Sequence, residues 1–144
     1  MESSILTLLI FLPAAGAALM LPFAKLYGKE KSHYYKWIAA ITTGIQLLLA
    51  LILYKNFDPA LSITESPFTL QLDWIRHFNI QYFVGIDGLS MPMVLLTALL
   101  SFICIISSWK IEKQPLGYFS LFLLLDAGMM GVFLSLDFFL FYIF

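Results

Sequence analysis

The chain contains 144 residues, of which 61% are hydrophobic and only 12% are charged, and its formal net charge is −1. A soluble globular domain has about twice that charged fraction, and the apolar residues here form runs of membrane-spanning length, so the composition excludes an ordinary soluble domain. The near-neutral charge offers no basis for a nucleic-acid partner, and a single cysteine with two separated histidines excludes an internal disulfide and a Cys/His metal site.

Two apolar runs in the first part of the chain predict transmembrane helices over about residues 4–23 and 35–54. A secretory signal would begin with basic residues, whereas the only charge before the first run is Glu2. We therefore interpret that run as a retained helix. The small residues at its centre, 13–18, predict close packing against another helix, and Pro22 predicts its end.

An alternation of apolar and polar residues after the second run predicts a β-hairpin over about residues 68–84. The alternative is an amphipathic coil that lies on the lipid headgroups. Because a lone two-stranded hairpin is marginally stable in water, we expect a neighbouring subunit or other helices to cover its apolar face. The residues that set the alternation are Phe68, Leu70, Leu72 and Trp74 in the first strand and Phe78, Ile80, Tyr82 and Val84 in the second.

Two further apolar runs predict a third and a fourth transmembrane helix, over about residues 89–109 and 118–134. A polar turn that contains Asp87 precedes the third run, where an acid is well placed to cap the helix. Trp109 and Lys110 close the far end, as amphipathic and basic residues do at a bilayer surface.

The residues after the fourth run predict a break in the helical structure. Ser135 and Asp137 are typical of a tight turn and an N-cap, after which residues 137–144 begin a fifth helix. The competing interpretation fuses everything from Tyr118 onwards into one long tilted helix. On the favoured interpretation the chain stops inside its fifth helix, so we expect it to be a fragment of a longer protein.

The sequence thus predicts an all-α integral membrane protein in a single domain, residues 1–144, with four transmembrane helices, the start of a fifth, and an outward-facing β-hairpin between helices two and three. Positive residues are concentrated in the first and third connections, which the positive-inside rule places in the cytoplasm, or in the matrix of an organelle. The N-terminus and the hairpin then face outward. The residues concerned are Lys25, Lys29, Lys31, Lys36, Lys110 and Lys113, against Lys55 and Arg76 in the second connection.

Asp126 is the one ionisable residue well inside an apolar run. A carboxylate at that depth costs roughly 2.5 to 3.5 kcal/mol on insertion scales, so it must face other helices or water. We interpret it as a candidate proton relay. The alternative is a protonated acid that hydrogen-bonds to a neighbouring helix. Asp137 is a second, weaker candidate for proton handling, since an acid at a helix start is more simply explained as a cap.

Several other residues in the apolar runs bear on this site. Gly128 and Gly131 predict close helix packing beside Asp126. Four polar residues are candidates to line a polar path through the membrane, although hydroxyl groups also bond back to their own helix. These are Thr42, Thr43, Gln46 and Thr97.

Two blocks of the sequence resemble the antiporter-like membrane subunits of respiratory NADH:quinone oxidoreductase. The first is YFVGIDGLSMPMVLLT, residues 82–97, and the second is GMMGVFLSLDFFLFYIF, residues 128–144. The likeness is nearest to chain M, the bacterial counterpart of mitochondrial chain 4. The first helix and the hairpin also fit this family, so the resemblance covers nearly the whole chain.

The resemblance implies a larger subunit, built partly from inverted five-helix repeats, that moves protons while electrons reach quinone elsewhere. It implies that a proton-handling glutamate of helix five lies just past Phe144 and that a lysine of helix seven lies further on. Asp126 matches a position that is often acidic in the family, and Asp137 matches the acid that opens helix five. No cofactor is expected in this chain, because FMN, the iron–sulfur clusters and quinone belong to other subunits.

The same resemblance implies a multi-pass protein of the inner membrane, bacterial or mitochondrial, whose partners are the lipid bilayer and the other membrane subunits. Two alternatives remain at this point. One is a subunit of a multi-subunit sodium/proton antiporter, which shares much of the two sequence blocks. The other is a small four-helix membrane protein with only a structural role.

Overall fold

The computed structural model describes residues 2–27, 32–57, 69–75 and 80–144 of the chain. Four long helices dominate this part, and each is long and apolar enough to cross a membrane. The predicted fold class, with its hairpin between the second and third helices, is therefore confirmed. The elements in chain order are α1 (Glu2–Tyr27), α2 (Ser32–Asn56), β1 (Leu70–Ile75), β2 (Ile80–Val84), α3 (Ser90–Ser107), a 3₁₀ turn (Ser108–Lys110), α4 (Pro115–Leu134) and α5 (Phe138–Ile143).

The four long helices form one bundle, in which α1 and α2 each pack against α4 and against each other, and α3 packs against α2 and α4. Buried apolar side chains in the bundle divide into two clusters. The first cluster, nearer the hairpin, includes Leu9, Leu53, Val94 and Met130. The second, nearer the connection between α3 and α4, includes Tyr35, Ala39, Ile105, Phe119 and Leu123.

The small residues at the centre of α1 bring its backbone close to two other helices, as predicted. A Cβ atom added to Gly16 would lie 2.8 Å from Thr42 Oγ1 on α2 and 3.3 Å from Leu123 Cδ1 on α4. The expectation that Pro22 ends the helix is wrong, because α1 continues through it to Tyr27. Proline removes one backbone hydrogen bond, and helices in membranes accommodate this loss where neighbouring groups or water satisfy the freed carbonyl.

The hairpin is antiparallel, as the alternation predicted. Two of the residues that set the alternation, Phe68 and Phe78, lie outside the described residues. Leu70 pairs with Val84 and Leu72 with Tyr82, and the register shifts by one residue between Asp73 and Ile75. The chain itself supplies part of the cover that such a hairpin needs, since Leu70, Tyr82 and Val84 pack into the apolar cluster nearer the hairpin. The Tyr82 hydroxyl also donates to Thr7 Oγ1 on α1, at 3.4 Å.

The predicted break after α4 is present, and the alternative of one long helix is wrong. Ser135 has an extended backbone, with φ −77° and ψ 124°, and it forms an antiparallel bridge with Val84. Gly85 N donates to Leu134 O and Leu136 N donates to Phe83 O, both at 2.9 Å. The break thus adds a short third segment to the free edge of β2, a long-range pairing that the sequence did not reveal.

Aromatic residues gather at the end of the bundle where α2 begins and α3 ends. The indole rings of Trp37 and Trp109 make an edge-to-face contact with their centroids 5.4 Å apart. Trp37 Nε1 donates to His33 Nε2 at 2.8 Å, and the hydroxyls of Ser108 and Tyr118 share a hydrogen bond of 2.8 Å. Aromatic side chains with polar tips are enriched at membrane–water interfaces, so this end is one boundary of the apolar region.

The contact at Gly16 gives a stability prediction. Thr42 cannot rotate freely away from an added methyl group, because its hydroxyl donates to Ile38 O at 2.7 Å. We expect Gly16→Ala to destabilise the bundle by about 1–3 kcal/mol, the usual cost of overpacking, and to lower the midpoint of thermal unfolding of the full-length chain in lipid nanodiscs.

Gly44→Ala is the matched control, since it lies in mid-helix on α2 and its added Cβ would make only an ordinary contact with Phe102, at 3.5 Å. Alanine is the better helix former by about 0.5–1 kcal/mol, so this variant should unfold at the wild-type temperature or above. A Gly16→Ala protein as stable as Gly44→Ala would contradict the close approach of α1.

Candidate functional site

Three polar side chains from three different helices meet in the middle of the bundle. Gln46 on α2 and Asp126 on α4 are completely buried, and Ser101 on α3 is 2% exposed. On each helix the polar residue lies between the members of the two apolar clusters: Ala39 and Ala50 flank Gln46, for example. The three residues therefore form a polar layer, and we use that name for Gln46, Ser101 and Asp126.

One hydrogen bond in the polar layer is fully formed. Ser101 Oγ donates to Asp126 Oδ1 at 2.5 Å, across the contact between α3 and α4. A hydrogen bond to a carboxyl group at such a short distance is a strong one when the acceptor is ionised. The bond fixes the orientation of the Asp126 side chain, so its second oxygen, Oδ2, points elsewhere.

Three other polar atoms of the layer are buried without a hydrogen bond to any group in the described residues. They are Asp126 Oδ2 and both polar atoms of Gln46, Oε1 and Nε2. The Gln46 amide lies beside the Asp126 carboxyl but makes no bond of ordinary geometry with it. Each buried unsatisfied group costs about 1–3 kcal/mol, and such groups are few in native structures. If the polar layer served only to pack the helices, these unsatisfied groups would destabilise the bundle.

The surroundings of the Asp126 carboxyl are neutral in the described part of the chain. Ser101 and Gln46 are the side chains that interact with its carboxyl, and no cation in the described part of the chain does so. A carboxyl held by neutral hydrogen-bonding groups alone is able to change its protonation state without breaking an ion pair.

The hydroxyl groups predicted to line a polar path are committed to their own helices. Thr42 donates to Ile38 O at 2.7 Å, Thr43 to Ala39 O at 2.9 Å, and Thr97 to Met93 O at 2.8 Å. Of the four predicted candidates, Gln46 is therefore the one whose polar atoms have no hydrogen bond to the described residues.

Ser101 was missed by sequence reasoning. Its position gave only a weak signal. Ser101 lies three residues after Ala98 and four before Ile105, which is the spacing of one helix face, but a serine in a membrane helix usually bonds back to its own helix.

The two other acids of interest cap helices, as predicted. Asp137 Oδ1 accepts from Phe139 N at 2.8 Å and from Leu140 N at 3.1 Å, at the start of α5. Asp87 Oδ1 accepts from Ser90 N at 2.5 Å and from Leu89 N at 3.1 Å, at the start of α3. Asp137 lies beyond the end of α4 and is not part of the polar layer.

Gly131 and Gly128 do permit close packing on α4, and the residue that approaches them is Phe144. A Cβ at position 131 would lie 2.7 Å from Phe144 Cε1, and a Cβ at position 128 would lie 3.7 Å from Phe144 O. The glycines thus let the residue after α5 fold back against the α4 surface. The two glycines follow Asp126 on α4.

The cap at Asp87 gives a pH-dependent prediction. The hydrogen bond from the Ser90 backbone N–H favours the ionised carboxylate and outweighs partial burial, so the pKa of Asp87 lies below its ordinary value. A lowered pKa means that the cap contributes its full stability above about pH 4 and loses it as the pH falls through the lowered pKa.

We expect Asp87→Ala to cost about 0.5–2 kcal/mol at pH 7, and Asp87→Asn to cost far less because asparagine is also a good cap. Unfolding midpoints measured from pH 7 down to pH 3 test this. The difference in unfolding midpoint between the wild type and Asp87→Ala should shrink towards pH 3. The difference between Asp87→Asn and Asp87→Ala should not change, because asparagine does not ionise. An Asp87→Ala variant as stable as the wild type at pH 7 would show that the cap is dispensable.

Comparison with known proteins gives a consistent result. The family described as NADH-ubiquinone oxidoreductase chain 4, amino terminus, matches residues 8–137. The chain is 36% identical over 141 residues to NADH-quinone oxidoreductase subunit M of Rhodobacter capsulatus, and 35% identical over 140 residues to NADH-ubiquinone oxidoreductase chain 4 of Mycosarcoma maydis. It is also 39% identical over 114 residues to NADH-quinone oxidoreductase subunit M of Escherichia coli K12.

These matches cover most of this chain but a minor part of each relative. They include 98%, 96% and 76% of the chain for the three proteins in the order given, and 27%, 28% and 22% of the relatives. The chain thus spans about a quarter of the length of the curated relatives that it matches. The family match over residues 8–137 includes the whole polar layer.

Proposed function

Because the chain belongs to the family of NADH-ubiquinone oxidoreductase chain 4, we propose that it is the amino-terminal part of a proton-translocating membrane subunit of a respiratory NADH:quinone oxidoreductase. The names of the relatives support membership of such a complex. They also favour this function over a sodium/proton antiporter or a small structural protein. In this proposal FMN, iron–sulfur clusters and quinone act in other subunits, and this subunit transfers protons.

The observation that carries the proposal is the buried Asp126 carboxyl, near the middle of α4. It is completely buried in the bundle, one oxygen is held by Ser101, and the other oxygen is without a hydrogen-bond partner among the described residues. An acid at that depth is expensive unless it has a use. A carboxyl that is oriented through one oxygen, and whose other oxygen has no hydrogen bond to the described residues, is suited to receive a proton and release it again.

The rest of the chain has a supporting role in this proposal. Asp137 caps the helix on which the family resemblance places a glutamate that handles protons, and so it sets where that helix begins. Asp137 itself remains the weaker candidate for proton handling, since its carboxylate already accepts two backbone hydrogen bonds. The partners are other membrane subunits, and the location is an inner membrane in which the N-terminus and the hairpin face outward.

Replacement of Asp126 tests the relay. Asn keeps the shape and the bond from Ser101 but cannot ionise. Removal of a positioned acid slows its own proton-transfer step by about 10²-fold or more, so the Asp126→Asn complex should assemble but should pump fewer protons per NADH oxidised. Proton uptake by inverted vesicles, normalised to assembled complex and to NADH oxidation, is the measurement.

Asp126→Leu should also reduce assembly, because Ser101 and Gln46 then lose their buried polar neighbour. Wild-type pumping by the Asp126→Asn complex would exclude the relay and leave Asp126 as a neutral hydrogen-bonding residue.

Orientation is tested separately. Lys29→Cys and Glu65→Cys variants, in a background where Cys104 is replaced by Ala, are treated in intact cells with a membrane-impermeant thiol reagent. Lysine placement predicts labelling at position 65 and none at position 29. The opposite pattern would reverse the topology without affecting the function proposed for Asp126.

A further inference from the structure

We propose that Gln46 is the positioning residue of Asp126, and that its amide stabilises both protonation states of that carboxyl by exchanging its donor group for its acceptor group. This inference rests on the proposed proton-relay function of Asp126. It assigns to Gln46 a specific role in the relay, and it requires no cation in the polar layer.

The first step of the argument is that Gln46 is badly suited to a packing role. Its side chain is completely buried, and both of its polar atoms are without hydrogen bonds to the described residues. An apolar residue of the same size would avoid that cost. The nearby threonines on α2 show the usual alternative, in which a polar group bonds back to its own helix, and the Gln46 amide does not do this.

The second step concerns what Asp126 needs. Oδ1 already has a donor in Ser101, so the requirement falls on Oδ2, which has no partner in the described part of the chain. An ionised carboxylate only accepts hydrogen bonds, so Oδ2 then needs a donor. A protonated carboxyl carries one O–H, so Oδ2 then needs an acceptor. The two states therefore require opposite partners at the same place.

The third step is that an amide side chain supplies both partners. Gln46 carries a donor, Nε2, and an acceptor, Oε1, and it lies beside the carboxyl. The terminal torsion of glutamine has a broad, roughly two-fold profile, so a half turn exchanges one group for the other at low cost. Gln46 neither gains nor loses a proton in this scheme, because the proton arrives at Oδ2 and leaves from Oδ2.

The experiment uses the full-length chain in the assembled complex. Gln46→Met has a similar length and volume but offers neither donor nor acceptor. Thr43→Val is the matched control, since Thr43 is also buried on α2 but its hydroxyl is bonded to Ala39 O. Gln46→Asn, which keeps the amide at shorter reach, is the second variant if the Met variant assembles poorly.

Two readouts are compared. Infrared difference spectroscopy follows the carboxyl C=O stretching band that disappears in Asp126→Asn, and vesicle assays follow the protons pumped per NADH. We expect Gln46→Met to shift the Asp126 band and to lower pumping about fivefold or more, the effect of losing a hydrogen bond of about 1 kcal/mol or more. Gln46→Asn should be intermediate, and Thr43→Val should match the wild type in both readouts.

An Asp126 band that is unchanged in Gln46→Met would overturn the inference. If Asp126→Asn lowers pumping, a Gln46→Met complex with a shifted band but wild-type pumping would overturn it as well. An equal effect of Thr43→Val would also overturn it, because the change would then be a general disturbance of α2. Failure of the proposed function is recognised separately, by wild-type pumping in Asp126→Asn.

Discussion

The arrangement of the bundle depends on one buried carboxyl. Asp126 is completely enclosed by protein, and in hydrocarbon its polar atoms have no water to replace missing partners. The hydrogen bond from Ser101 ties α3 to α4 at one depth, and the Gln46 side chain of α2 lies beside the same carboxyl. On α1, Gly16 has no side chain, and this allows the helix to approach Thr42 and Leu123 at the edge of the polar layer. Apolar clusters above and below hold the four helices but do not by themselves specify their depth.

A second constraint acts where α4 ends. A helix that stops near the membrane boundary leaves carbonyl and N–H groups that need partners. Gly85 N satisfies Leu134 O, Phe83 O accepts from Leu136 N, and the Asp137 carboxylate caps the next helix. The hairpin therefore does more than cover a surface, because its second strand fixes the break between α4 and α5. This links the depth of Asp126, on α4, to the start of the helix that follows.

Most of the fold was predictable because membranes impose simple lengths. Apolar runs of about 20 residues predict spans, alternation predicted the hairpin, and the polar pair Ser135 and Asp137 predicted the break. The Val84–Ser135 bridge could not be predicted, since it joins backbone atoms of residues far apart in the chain and leaves no local pattern. Asp126 was identifiable as a lone acid in an apolar run. Ser101 was not, because a serine in a membrane helix usually bonds back to its own backbone, and only the tertiary structure shows that this one does not.

The neutrality of the polar layer is what makes a relay reasonable at this position. A lysine or arginine beside a buried carboxylate holds it ionised, and a purely apolar surrounding holds it protonated; in either case the group is fixed in one state. Ser101 and Gln46 are uncharged, so no fixed charge among the side chains that interact with Asp126 favours one of its two states. Hydrogen bonds of about 1 kcal/mol are small enough to exchange. On the role proposed for Gln46, the cost of burying its amide without other partners is understandable. An amide whose donor and acceptor were both held by other groups could not exchange them, and it would favour one protonation state of Asp126 over the other.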